Sequence, residues 1–96
     1  MDRQENIENT SYEIAEGISY QFVDDGYIIL NINDGEYYEL NRSSSYIWDL
    51  IFNKLSKDMI LETAQKDFKL CDKELLDIVS MLDKFENLKL IKKIKN

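Results

Sequence analysis

The sequence predicts an α+β domain, winged-helix-like, in which a three-stranded antiparallel sheet is followed by three helices. Three observations carry this. Asp34-Gly35 sits between two apolar runs, and a hairpin turn needs the positive φ that glycine adopts freely. Ile18 to Val23 (ISYQFV) alternates apolar and polar residues, the signature of a half-buried strand. Beyond Asn41 the apolar residues change to spacings of three and four, the helical period.

The first strand places Ile18, Tyr20 and Phe22 on one face, and Asp24-Asp25-Gly26 turns the chain. The second strand runs from Tyr27 to Ile32, with Ile28, Leu30 and Ile32 on one face and Tyr27, Ile29 and Asn31 on the other. After the Asn33-Asp34-Gly35 turn, Glu36 to Leu40 returns as the third strand, at an edge of the meander. Tyr38 and Leu40 are expected to pack inward. Tyr37 points the other way, either covering a bound side chain or lying on the outer face. Asn41 ends the strand, its side chain bonding local backbone.

A helix is expected from about Ser44 to Lys54, opened by Ser43 or a neighbouring serine, with Ile47, Leu50, Ile51 and Leu55 as its stripe and Trp48 in the core. The second follows Ser56, whose hydroxyl can accept an orphan backbone N–H, and carries Ile60, Leu61, Ala64 and Phe68. The third, capped by Asp72, carries Leu75, Ile78, Val79, Leu82 and Phe85 and stops near Asn87. The sheet has one apolar face that the helices must cover. Residues 1–11 read as a flexible N-terminal arm, residues 12–96 as one domain, and the basic tail from Lys92 as frayed.

Composition narrows the function. Ninety-six residues suit one small core. With no histidine, the chain lacks the usual general base and the commonest metal ligand. Its single cysteine, Cys71, cannot form an internal disulfide and fits a reducing compartment, so a cytoplasmic location is expected. No run is long enough to span a membrane. A formal charge of -7 argues against a phosphate backbone as partner. No glycine-rich phosphate loop is present. The Asn31–Gly35 stretch fails as a calcium loop, because Leu30 would fill the first ligand position. No cofactor, no metal and no catalysis are expected.

Three pieces of the chain resemble the PqqD-like family, the recognition elements for precursors of ribosomally made, post-translationally modified peptides. They are Gly26-Tyr27-Ile28-Ile29-Leu30; then Gly35, Tyr38-Glu39-Leu40-Asn41 and Ile47-Trp48; then Met81 to Phe85, closing on Lys89-Leu90-Ile91. The chain departs from the pattern at Lys89, where the family has glycine, and in its Ser43-Ser44-Ser45 turn. The resemblance implies a freestanding domain that binds a leader peptide as an extra strand on the third strand, in a groove closed by the third helix. Its partners would be the precursor leader and a peptide-modifying enzyme, with no nucleic acid and no membrane, and the protein would be a monomer or weak dimer. The third strand so implied is Glu36, Tyr37, Tyr38, Glu39 and Leu40. On the third helix either flank could border the groove, that of Met81 and Glu74 or that of Leu76; the Leu76 side is the one expected, with Lys73, Leu76, Val79, Ser80 and Asp83. Two other readings compete. One is an adaptor subunit without peptide specificity. The other is a winged-helix DNA-binding regulator, disfavoured because the third helix sets Asp72, Glu74, Asp77, Asp83 and Glu86 against Lys73 and Lys84.

Overall fold

A computed structural model describes residues 10–95. The elements are β1 (Thr10–Ile14), β2 (Ile18–Val23), β3 (Gly26–Asn31), β4 (Tyr37–Glu39), α1 (Arg42–Phe52), α2 (Lys57–Phe68), α3 (Asp72–Asn87) and β5 (Ile91–Lys95). The expected antiparallel meander is β2-β3-β4, and the three helices follow it. A second, two-stranded sheet was not foreseen: β1 pairs antiparallel with β5, Ile14 opposite Ile91 and Thr10 opposite Lys95.

That ribbon corrects both expected chain ends. Thr10 and Ser11 belong to a strand, while the rest of the expected arm, residues 1–9, lies outside the described residues. The tail from Lys92 is paired rather than frayed, with Lys92 Nζ 3.1 Å from Glu13 and Lys93 Nζ 3.8 Å from Glu86. The ribbon forms because Tyr12 and Ile91, at 1% and 2% exposure, are part of the core.

The core lies where α1, α2 and α3 meet the inner face of the meander. Trp48, Ile51, Ile60, Ala64, Leu82 and Leu90 are fully buried there. From β3 the inner face receives Ile29, flanked in register by Tyr20 of β2 and Tyr38 of β4. The more apolar face of β3 is the outer one: Ile28, Leu30 and Ile32 are exposed. Aromatic packing decides this. Tyr20 meets Trp48 edge-on at 5.7 Å and Tyr27 at 6.0 Å, a cluster that only the Tyr27–Ile29 face can join.

Gly26 stands where β3 passes the start of α1. A Cβ there would lie 2.1 Å from the Leu40 carbonyl oxygen, so no side chain fits. Beside it buried Ser45 accepts the Tyr27 N–H at 2.9 Å and donates to the Leu40 carbonyl at 3.3 Å. A small hydroxyl is thus what lets strand and helix approach.

The helix starts differ from expectation in two places. Asn41, not a serine, caps α1, accepting the Ser44 N–H at 2.8 Å. Cys71, not Asp72, is the N-cap of α3, and Glu74 accepts its N–H at 3.0 Å, which lowers the Glu74 pKa. Ser56 caps α2 as expected, at 3.3 Å from the Met59 N–H. Phe68, expected in the α2 stripe, is exposed and instead packs edge-on with Tyr46 at 4.9 Å.

Each helix ends on a lysine at positive φ: Lys54 (67°), Lys69 (53°) and Lys89 (65°). At α3 the bonds Leu90 N–H to Phe85 O and Lys89 N–H to Glu86 O form a Schellman motif, with buried Leu90 against buried Phe85. Lys89 therefore adopts the left-handed conformation that the family's glycine would take without strain. Lys89→Gly is expected to stabilise the fold by about 0.5–1 kcal/mol, relief of left-handed strain partly offset by a freer unfolded chain. A urea denaturation midpoint higher than wild type checks it.

Tyr27 ties β3 to α1, its hydroxyl donating to Asp49 at 2.5 Å. That bond first, and burial second, pushes its pKa up to about 12. A raised phenol pKa contributes stability that is fully present below the unfolded value near 10 and is lost as pH climbs towards 12. The stability gap between wild type and Tyr27→Phe should therefore hold up to about pH 10 and shrink as pH rises from there towards 12, measured by urea titration at each pH.

Candidate functional site

The register of the meander determines what its edge can offer. Asn31 N–H bonds the Glu36 carbonyl at 2.9 Å and Leu40 N–H bonds the Tyr27 carbonyl at 2.8 Å. In an antiparallel ladder the direction of these groups alternates residue by residue. Residues 36, 38 and 40 thus turn their backbone polar groups towards β3, while Tyr37 and Glu39 turn theirs outward. Side chains alternate the other way: Tyr38 and Leu40 are half-buried against the core, and Tyr37 and Glu39 are exposed.

Alongside this edge runs a cleft of about 420 Å³. Its strand side is Tyr38, Glu39 and Leu40, continued by Asn41 and Ser44 at the start of α1. Its helix side is Asp77, Ser80, Met81 and Lys84 of α3, over a floor of Phe85, Leu88 and Leu90. A second cleft of about 520 Å³ adjoins it among α1, α2 and α3, sharing Asp77 and Met81. Tyr46, Phe68, Leu70 and Ile78 line it, with Arg42 and Glu74 also on its wall. The Tyr46 hydroxyl donates to Asp67 at 2.6 Å, and desolvation, with that bond, pushes its pKa up to about 12. The two clefts form one apolar trough with charged margins.

Of the residues expected at a site, Tyr38, Glu39, Leu40 and Ser80 line the trough. Tyr37 lies outside both clefts, exposed on the outer face, and Glu36 is held in the turn, its N–H bonding Asp34 Oδ1 at 2.9 Å. On α3 the clefts take the flank opposite to Leu76. Lys73, Leu76, Val79 and Asp83 lie outside both clefts, Leu76 being 65% exposed, and the wall is built by Asp77, Met81 and Lys84 instead. At 100° per residue Met81, Asp77, Lys84 and Ser80 follow one another round one flank of the apolar stripe, and Val79, Leu76 and Asp83 round the other. The stripe alone does not say which flank the strand edge meets. The cleft against α2 had no signal, since it depends on how three helices splay. Among the described residues no group of three or more His, Cys, Asp or Glu could hold a metal ion, and no helix is long and apolar enough to cross a membrane.

The family profile for coenzyme PQQ synthesis protein D (PqqD) matches residues 26–91, well over half of the chain. The chain belongs to the PqqD family. Two solved structures share the fold. One is TbiB1 in complex with the TbiA(beta) leader peptide, 20% identical, with a TM-score of 0.77 over 83% of this chain and 94% of that one. The other is lasso peptide synthetase B1 complexed with the leader peptide, 17% identical, with a TM-score of 0.75 over 84% of this chain and 96% of that one. At these identities the likeness is one of fold. No curated protein matches the sequence. The PqqD match runs from Gly26, which has no room for a Cβ, to the buried Leu90-Ile91 pair, so it spans the strand edge and the whole of α3.

Proposed function

We propose that this PqqD-family chain is a non-catalytic recognition domain that binds the leader segment of a ribosomally made precursor peptide and delivers it to a modifying enzyme. The observation that carries the reading is the outward-facing backbone of Tyr37 and Glu39 beside an apolar trough walled by α3. An extended peptide adds to such an edge as a strand. That two proteins of this fold are described as leader-peptide complexes supports it.

The edge alone is too short to bind tightly. Two outward residues offer at most four backbone hydrogen bonds, worth about 0.5–1.5 kcal/mol each, or roughly 2–6 kcal/mol together. Micromolar affinity needs about 8 kcal/mol after the entropy of association is met. The remainder must come from side chains in the trough. Leader residues opposite Tyr38 and Leu40 turn inward over Phe85, Leu88 and Met81, so they should be apolar. Glu39 and Asp77 favour a lysine or arginine at the margin, contributing about 0–1 kcal/mol because the pair is exposed.

The chain works in the cytoplasm, a reading supported by its single cysteine, which is exposed and free, as suits a reducing compartment. Titration calorimetry with a synthetic leader from the cognate precursor tests the binding role. Saturable binding is expected. No binding, with and without the modifying enzyme in the cell, would refute it.

A further inference from the structure

We propose that the outer face of the β2-β3-β4 sheet docks a protein partner whose own surface is apolar at its centre and rich in lysine and arginine at its margin. Under the reading above, that partner is the modifying enzyme.

The face is apolar without a structural need to be. Ile28 is 37% exposed, Leu30 40%, Tyr37 62% and Ile32 64%. Register makes them contiguous: Leu30 lies directly opposite Tyr37, Ile28 follows two residues away on the same side, and Ile32 continues the row beyond the ladder. A sheet with one solvated face ordinarily carries polar residues there. Here only Ser19, Gln21 and Glu39 do so, and an exposed contiguous apolar patch with a polar rim marks an interaction site.

Charge selects the occupant. From Ile18 to Asn41 the chain carries Asp24, Asp25, Asp34, Glu36 and Glu39 and no lysine or arginine; the next cation, Arg42, is paired with Asp25 at 3.4 Å. Among the described residues of the meander, the charges around the patch are therefore all acidic. A second copy of this face would bring like charges together, and anionic lipid headgroups would be repelled, whereas a basic rim is complementary. The geometry adds a reason for the modifying enzyme. A leader strand paired to Tyr37 and Glu39 would show alternate side chains on this same outer face. A protein docked there would therefore touch both domain and leader.

The test uses the full chain, the purified modifying enzyme and the synthetic leader. Leu30→Lys inserts a cation in the patch centre, outside the trough. It should lower enzyme affinity at least tenfold and leave leader affinity within twofold, with an unchanged circular dichroism spectrum. Ile32→Lys, beyond the ladder, serves if Leu30→Lys fails to fold. Wild-type enzyme affinity should also fall as salt rises. Enzyme binding indifferent to both substitutions would overturn the proposal. So would a wild-type dimer in sedimentation that Leu30→Lys dissociates, since a second copy would then own the face. Loss of enzyme binding in a chain whose wild type binds no leader would leave the docking face standing and refute the leader reading. Leader binding with an insensitive enzyme contact would do the reverse.

Discussion

Glu39→Pro should weaken leader binding at least about tenfold while leaving the fold intact. The parity set by the Asn31–Glu36 and Tyr27–Leu40 bonds turns the Glu39 N–H away from β3. Proline there removes a donor that the ladder does not use, and edge strands tolerate it on that side. The residue before it, Tyr38, is already extended, as a pre-proline residue must be. One lost hydrogen bond contributes about 0.5–1.5 kcal/mol. The ring also stands where the incoming strand must approach, so the total should reach the 1.4 kcal/mol that a tenfold change requires. Glu39→Ala keeps the N–H and should stay within about threefold of wild type. Tyr38→Pro is the opposite control: its N–H faces Ile29, so it should damage the sheet itself. Calorimetry with the leader, alongside thermal melts of all three variants, separates the cases. Equal binding by Glu39→Pro and wild type would rule out strand addition at β4.

Much of this was legible in the sequence. The meander was, because Asp-Gly turns and two-residue alternation are local signals. So were Ser56 as a cap and the inward side of Tyr38 and Leu40, which follow from strand parity alone. The β1–β5 ribbon was not. Its strands lie at opposite ends of the chain, and each reads as a polar segment until Tyr12 and Ile91 are seen in the same core. The inward face of β3 was also hidden. Ile28, Leu30 and Ile32 form the more hydrophobic set, yet aromatic packing on Trp48 and the Tyr27–Asp49 bond draw in the other one. The α3 flank turned on a rotation of the helix about its axis. A stripe of five apolar residues sets the buried side of the helix but leaves two shoulders, and only the placement of β4 chooses between them.

Trp48 is where the largest loss of stability is expected. Its ring is fully buried and meets Tyr20 of the sheet at 5.7 Å and Phe85 of α3 at 5.6 Å, so one side chain on α1 joins three elements. Truncating a buried tryptophan to alanine costs about 3–5 kcal/mol, against a total of about 5–15 kcal/mol for a domain, with small cores at the low end. Trp48→Ala should therefore be largely unfolded at 37 °C or lose half or more of its urea-unfolding free energy. Circular dichroism is the right probe, since Trp48 is the only tryptophan. Phenylalanine should be far milder. The indole Nε1 is buried with no hydrogen-bond partner among the described residues, an orphan donor that costs about 1–3 kcal/mol. Trp48→Phe removes that penalty while keeping a ring against Tyr20 and Phe85, and its loss should stay below about 2 kcal/mol. The same contact joins stability to binding. Phe85 packs against Trp48 and also lines the floor of the trough. Where Trp48→Phe folds, its leader affinity should fall by less than about threefold, and a larger drop would mean that the indole itself sets the depth of the trough.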